Sequence, residues 1–191
     1  MIDLTSEKVD IRLRVKLEQI TRQEFEKHPN LIANLHSEYP HSIELATEVA
    51  PLNVPLLHFT CFNYAFDLLD SNVMRVVNAF PKLLSDGQFV SNLVKHRLEE
   101  FSATEIRNGD MVMYSDEKEI KHSGKAFSGF VISKWGRIGY LWRHRLFEIP
   151  SSYGDNVRFF RRLDRSVSEQ VFLDYAKSKH GEAVIDELLA P

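Results

Sequence analysis

The chain has a single cysteine, Cys61, among 191 residues. One thiol cannot close an internal disulfide, so nothing in the sequence demands an oxidising compartment. Glycines number only eight, and none is spaced to cradle a phosphate. No stretch approaches the roughly 20 apolar residues of a membrane span. The opening "MIDLTSEKVDIRLRVKLEQ" carries charges throughout and lacks the apolar block of a secretory signal. The expectation is therefore a soluble protein made in the cytoplasm, for which action outside the cell would need a signal-less export route. A net charge of −3 gives no pull toward nucleic acid or an acidic membrane. There is no repeat and no low-complexity segment. No His pair at i, i+4 and no Cys/His cluster is present, and His28, His36 and His41 are scattered, so neither metal nor cofactor is expected.

What is present is an ordinary globular composition, 43% hydrophobic and 27% charged, which fits one domain with a single core. Val9, Ile11, Leu13, Val15 and Leu17 alternate with polar residues, a period of two that favours a half-buried strand over the alternative of a helix. Thr21 with Glu24 reads as a capping box opening a helix that resumes through "NLIANLHSEY" after Pro29. The proline-containing stretch 39–59 reads as an extended connection to the cysteine. Thr60 is placed as an N-cap, with Cys61 in the first helical turn and Cys61, Ala65, Leu68 and Leu69 on one face. "NVMRVVNAFPKLL" and "GQFVSNLVKHRLEEF" follow as helices. After Asn108 the texture changes to short strands separated by Gly and Ser: "NGDMVMYSD", "KHSGKAF", "GFVISKW", "GYLWRHRLFEI" and "NVRFFRRL". Such spacing predicts an antiparallel meander or small barrel. Ser166 and Glu169 read as a capping box for a helix through "SEQVFLDYAKSK", ended by His180-Gly181 and followed by a last short helix. Helices first and strands second give an α+β fold.

A cysteine opening a helix has unpaired N–H groups to favour its thiolate, and a nearby imidazole completes a nucleophile. His122, at the start of a predicted strand about 60 residues on, is the best candidate base. Imidazole would take the thiol proton and return it to a leaving amine. The backbone N–H of Cys61 and a group from the preceding loop, with His58 a candidate, would form the oxyanion hole. Seven arginines between 137 and 165 interleave with aromatics. They fit alternating core and solvent positions on strands better than a nucleic-acid surface, for which a strongly basic footprint is expected.

Three motifs in order carry a resemblance. Cys61-Phe62-Asn63-Tyr64-Ala65 resembles the nucleophile motif of papain-like cell-wall amidases and peptidases, the NlpC-like enzymes and the cysteine, histidine-dependent amidohydrolases. Gly109-Asp110-Met111-Val112-Met113-Tyr114 resembles their Gly-Asp strand, and His122-Ser123-Gly124 their histidine strand. Ser133-Lys134-Trp135-Gly136 is similar to a Ser-Lys-x-Gly shared by uncharacterised bacterial relatives. The resemblance spans about residues 55 to 135. It implies a papain-like α+β core over 55–165, preceded by an extension over 1–54 and followed by helices over 166–191, all in one domain. It implies cleavage of an amide bond by a Cys61–His122 dyad or triad, with a peptide or amide as partner and a cell-wall peptide as the leading substrate. Tyr64 is the motif's aromatic residue and, with His58, a candidate for substrate contact. The family's third polar residue is replaced by Ser133 and Lys134, so either Ser133 or His144 is left to orient the imidazole. The alternative is a papain-like binding module that has lost the chemistry.

Overall fold

A computed structural model describes residues 9–46, 59–83, 88–136 and 139–190. Its order is α1 (Ile11–Thr21), α2 (His28–Leu35), β1 (Glu44–Leu45), α3 (Cys61–Ala65), α4 (Ser71–Ala79) and α5 (Gln88–His96). There follow β2 (Glu100–Phe101), β3 (Met111–Ser115), β4 (Ile120–Phe127), β5 (Phe130–Lys134), β6 (Leu141–His144), β7 (Asn156–Phe160), α6 (Arg165–His180) and α7 (Glu182–Leu189). The fold is α+β, as the sequence implies. The expected meander exists as β3–β4–β5–β6, inside a seven-stranded antiparallel sheet of order β1-β6-β5-β4-β3-β7-β2.

Residues 9–17 correct the strand reading. Ile11–Thr21 is a helix, capped by the Asp10 carboxylate, which accepts from the backbone N–H of Arg12 and Leu13. Leu13, Leu17 and Ile20 make its buried stripe, while Ile11 is 71% exposed. Alternation fitted both periods over so short a run, and the cap decided it. Two capping boxes are also corrected. Thr21 closes α1, its hydroxyl donating to the Glu18 carbonyl. At α6 the N-cap is Asp164, and Glu169 instead pairs with Arg165 one turn away.

Side chains on a strand alternate between faces, and the sheet is covered on both. On one face Met111, Met113 and Phe160 pack with Phe62, Val76, Phe89, Leu93 and Phe172 from α3 to α6. On the other, Val112, Tyr114, Val131, Trp142 and Phe159 pack with Leu13, Leu17, Ile20 and Ile32 from α1 and α2. The extension therefore forms one wall of the core. The Gly-Asp of the β3 motif proves to be a lock. Gly109 takes φ +89°, and the Asp110 carboxylate accepts from the Arg107 backbone N–H at 2.8 Å and from Arg161 Nη1 at 2.8 Å. The arginine-rich stretch is largely neutralised in the same way: Arg143 pairs with Glu44, Arg158 with Glu100, and Arg165 with Asp70 and Glu169. No described helix is long and apolar enough to cross a membrane.

Candidate active site

Thr60 is the N-cap of α3, as its sequence suggests, and with Asn63 it forms a full capping box. The Asn63 carboxamide oxygen accepts from both the Thr60 backbone N–H and its hydroxyl, each at 2.9 Å. Asn63 Nδ2 donates to the Leu68 carbonyl at 3.2 Å, which closes the short helix at its far end. Cys61 is thus fixed as the first residue of a five-residue helix. The helix ends at Ala65, so Leu68 and Leu69 lie beyond it rather than on its face.

The Cys61 residue is half-buried, with its sulfur turned inward against β4. Burial pushes the thiol up to about 11; the backbone N–H and hydroxyl of Ser123 and the N–H groups of Phe62 and Cys61 act in the opposite direction. The lowering expected of a helix start is therefore outweighed. A five-residue helix aligns few peptide dipoles, and desolvation dominates. The place of the sulfur follows from strand register. Gly124 pairs with Ser133, and β5 then turns away, the Trp135 N–H bonding to Tyr140. Ser123, one residue earlier, is buried opposite Met113 of β3, and its backbone N–H is directed at the Cys61 sulfur. Its buried Oγ has no partner in strict hydrogen-bond geometry, yet it lies near enough to the Cys61 sulfur to favour charge there.

His122 lies next to Ser123 and alternates to the α1 side of the sheet, paired with Tyr114 on β3. It is 1% exposed. Its ring stacks on Tyr153, with centroids 3.9 Å apart and planes at 15°, and it meets Tyr114 at 5.7 Å. Burial, and then the charge of His144, hold its pKa well below the ordinary imidazole range. Nε2 is buried with no hydrogen-bond partner, so no bond joins it to the thiol. Cys61 packs with the α3–α7 core, whereas His122, stacked on Tyr153, lies on the α1 side, so the thiol and the imidazole take opposite faces of the sheet.

Ser133 and His144, the two expected orienters, are bound to each other. His144 Nδ1 is 2.7 Å from the Arg145 carbonyl, which can only accept, so Nδ1 carries the proton. Nε2 is then the acceptor, and Ser133 Oγ donates to it at 2.8 Å. Trp135 Nε1 donates to the same hydroxyl at 3.1 Å. Indole, hydroxyl, imidazole and carbonyl form one satisfied chain in which every polar side chain is buried. Neither member bonds to His122. Tyr64, expected to meet substrate, is instead 5% exposed in a core cluster with Phe59 and Ile132, beneath the Lys125 ammonium. His58 lies outside the described residues.

Two groups that respond to charge on Cys61 were not singled out as site residues from sequence. Lys134 is buried, its Nζ donating to the Gly136 carbonyl at 3.2 Å; burial lowers its pKa to about 8, and a Cys61 thiolate would raise it. The Tyr153 hydroxyl accepts from the Gly136 backbone N–H at 3.1 Å, and its pKa is raised by burial and then by a Cys61 thiolate. Both side chains therefore sense the charge on Sγ. The sequence signal for Tyr153 was the turn "PSSYG", whose Gly154 takes φ +99° with no room for a Cβ, 2.4 Å from the Ser115 backbone. Among the described residues, no group of three His, Cys, Asp or Glu is placed to hold a metal.

No family model, curated protein or solved structure matches this chain.

Proposed function

We propose that the chain is a papain-like thiol hydrolase that cleaves an amide bond, with Cys61 as nucleophile and His122 as base. The observation that carries this reading is the packing of the Cys61 helix against β4, the strand that bears His122 and Ser123. The Ser123 N–H favours charge on the Cys61 sulfur, and the adjacent residue presents an imidazole whose Nε2 no other group has claimed. Both groups rest neutral. In this reading Sγ attacks the amide carbon as His122 Nε2 takes the thiol proton. The backbone N–H groups of Cys61 and Ser123 hold the oxyanion that forms. The proton then passes from Nε2 to the leaving amine, the C–N bond breaks, and water releases the acid from the thioester. The resemblance makes a cell-wall peptide the leading substrate class.

The buried thiol favours a second reading, a binding module that keeps the fold without the chemistry. A peptide-like vinyl sulfone, read by intact mass, separates them. The hydrolase reading expects one adduct on the wild type, none on Cys61→Ala, and labelling slowed by roughly 10²-fold or more in His122→Ala. Equal labelling of wild type and His122→Ala overturns it and leaves the binding module.

A further inference from the structure

The N-terminal helix makes contacts that a mere covering layer does not need. Arg14 on α1 is 3% exposed, an unusual position for a guanidinium. Nearly all of its donors go to one turn. Nη2 donates to the Gly154 carbonyl at 2.7 Å, Nε to the Ile149 carbonyl at 3.3 Å, and Nη1 pairs with the Asp155 carboxylate. One helical turn on, the Glu18 carboxylate accepts from the Ser152 backbone N–H at 3.2 Å and from the Ser152 hydroxyl. The gripped segment is the 3₁₀ turn Ser151–Tyr153, whose last residue stacks on His122. Gly154 seats the same turn against the Ser115 backbone from the sheet side. On its other side the Tyr153 hydroxyl is tied to the Gly136 N–H at the end of β5. His122 Nε2 has no hydrogen bond to set the angle of its ring.

We propose that α1 is a positioning device for the reactive histidine: Arg14 and Glu18 hold the 151–153 turn so that the Tyr153 ring clamps the His122 imidazole by face-to-face stacking, in the role a third polar residue would otherwise fill. The proposal rests on His122 being the base of Cys61. Tyr153, Arg14 and Glu18 are positioning residues, since none of them need touch substrate. The arrangement gives the extension a part in the chemistry, and it accounts for Ser133 and His144 being engaged with each other. An aromatic clamp fixes the plane of the ring and leaves both nitrogens available. A hydrogen-bonding third residue fixes the tautomer as well.

The test uses the full chain and two readouts. The first is the His122 Hε1 resonance, which a stacked tyrosine shields, and which Glu18→Ala, with the Tyr153 ring still present, moves only if α1 holds the clamp. The second is the rate of Cys61 labelling by the vinyl sulfone. Tyr153→Leu should lose the shielding and slow labelling at least about tenfold, a part of the roughly 10²–10⁴-fold that a placed base supplies. Tyr153→Phe keeps the ring and should hold both readouts within about twofold, on the same scale. Arg14→Met and Glu18→Ala, with Tyr153 intact, should shift the resonance and slow labelling in proportion. Glu18 lies at the surface end of the grip, so Glu18→Ala decides the matter where Arg14→Met fails to fold. An unchanged resonance and rate in folded Tyr153→Leu, or in folded Glu18→Ala, overturns the proposal. Labelling that ignores His122→Ala removes the dyad, while the His122 resonance still reports whether α1 holds the clamp, so the two failures are distinct.

Discussion

Lowering the pH from 7 to 5 should destabilise the folded chain by about 2 kcal/mol through His144 alone. Its ring is closed between the Ser133 hydroxyl and the Arg145 carbonyl. Burial lowers its pKa from 6.5 to about 4, against the smaller opposing effects of the Arg145 carbonyl and Glu148. A base whose pKa is depressed on folding takes its proton first in the unfolded chain. The stability it contributes is complete above about pH 6.5 and is lost as the pH falls toward 4. At pH 5 the unfolded ring is protonated by about 1.5 decades and the folded ring is mostly neutral. At about 1.4 kcal/mol per decade this gives about 2 kcal/mol. His122 is depressed as well and adds in the same direction; His41, partly buried, does so too. The carboxylates whose pKa falls on folding, Glu18, Glu100 and Asp116, lose their contribution only below their ordinary values of 4.5, 4.5 and 3.8, outside this window. Urea unfolding at pH 7 and pH 5 measures the difference, and His144→Asn should flatten the pH dependence. A midpoint that holds steady or rises between pH 7 and pH 5 would refute the reasoning, because it requires His144 to be charged in the folded state. The direction of the Ser133 bond would then be reversed.

Three further outcomes follow from the same geometry. Cys61 should exchange slowly with an aromatic disulfide at pH 7. A pKa of about 11 leaves roughly 300-fold less thiolate than a free cysteine of about 8.5, and higher intrinsic nucleophilicity returns about tenfold, for a net slowing of about 30-fold; a rate profile that levels off below pH 8.5 contradicts this. Ser133→Ala removes the acceptor of Trp135 Nε1 and the donor to His144 Nε2, and should lower stability by about 1–3 kcal/mol in urea titration. Loss of vinyl sulfone labelling in that variant with stability unchanged would return Ser133 to a role at His122. Asp110→Ala leaves the Arg161 guanidinium and the Arg107 N–H without their carboxylate, and should cost about 3 kcal/mol. Labelling of the folded fraction should persist, and its disappearance would place Asp110 in the site.

The sequence was most legible where a single residue dictates a local geometry. Thr60 capped α3 as expected, because its hydroxyl has one favourable use ahead of an apolar run. The Gly-rich punctuation after Asn108 marked the strands, and Gly181 marked the end of α6. It was least legible where two periods coincide. In "VDIRLRVKL" the strand pattern and the helical stripe share Leu13 and Leu17, and the outcome turned on Asp10, which the alternation counts only as a polar position and which in fact caps the helix. Site partners were harder still. Ser133 and His144 sit on adjacent strands in a register that no local signal specifies, and their mutual bond excludes both from His122. Tyr153 comes to His122 from a turn fixed by a glycine and by an arginine some 140 positions away in the chain. Such contacts depend on which face of the sheet each side chain takes, and one residue of register reverses that choice.

The ends of the sheet carry a consequence for how this molecule behaves in a crowd. Its outermost strands, Glu44–Leu45 and Glu100–Phe101, are two residues long, and each meets its neighbour through a carboxylate–guanidinium pair, Glu44 with Arg143 and Glu100 with Arg158. Among the described residues, a foreign strand approaching either margin finds only a short length of open backbone and must dock beside charge. A seven-stranded antiparallel sheet is long enough to template aggregation, and the described part of each outermost strand opposes that growth by its shortness and its ion pair.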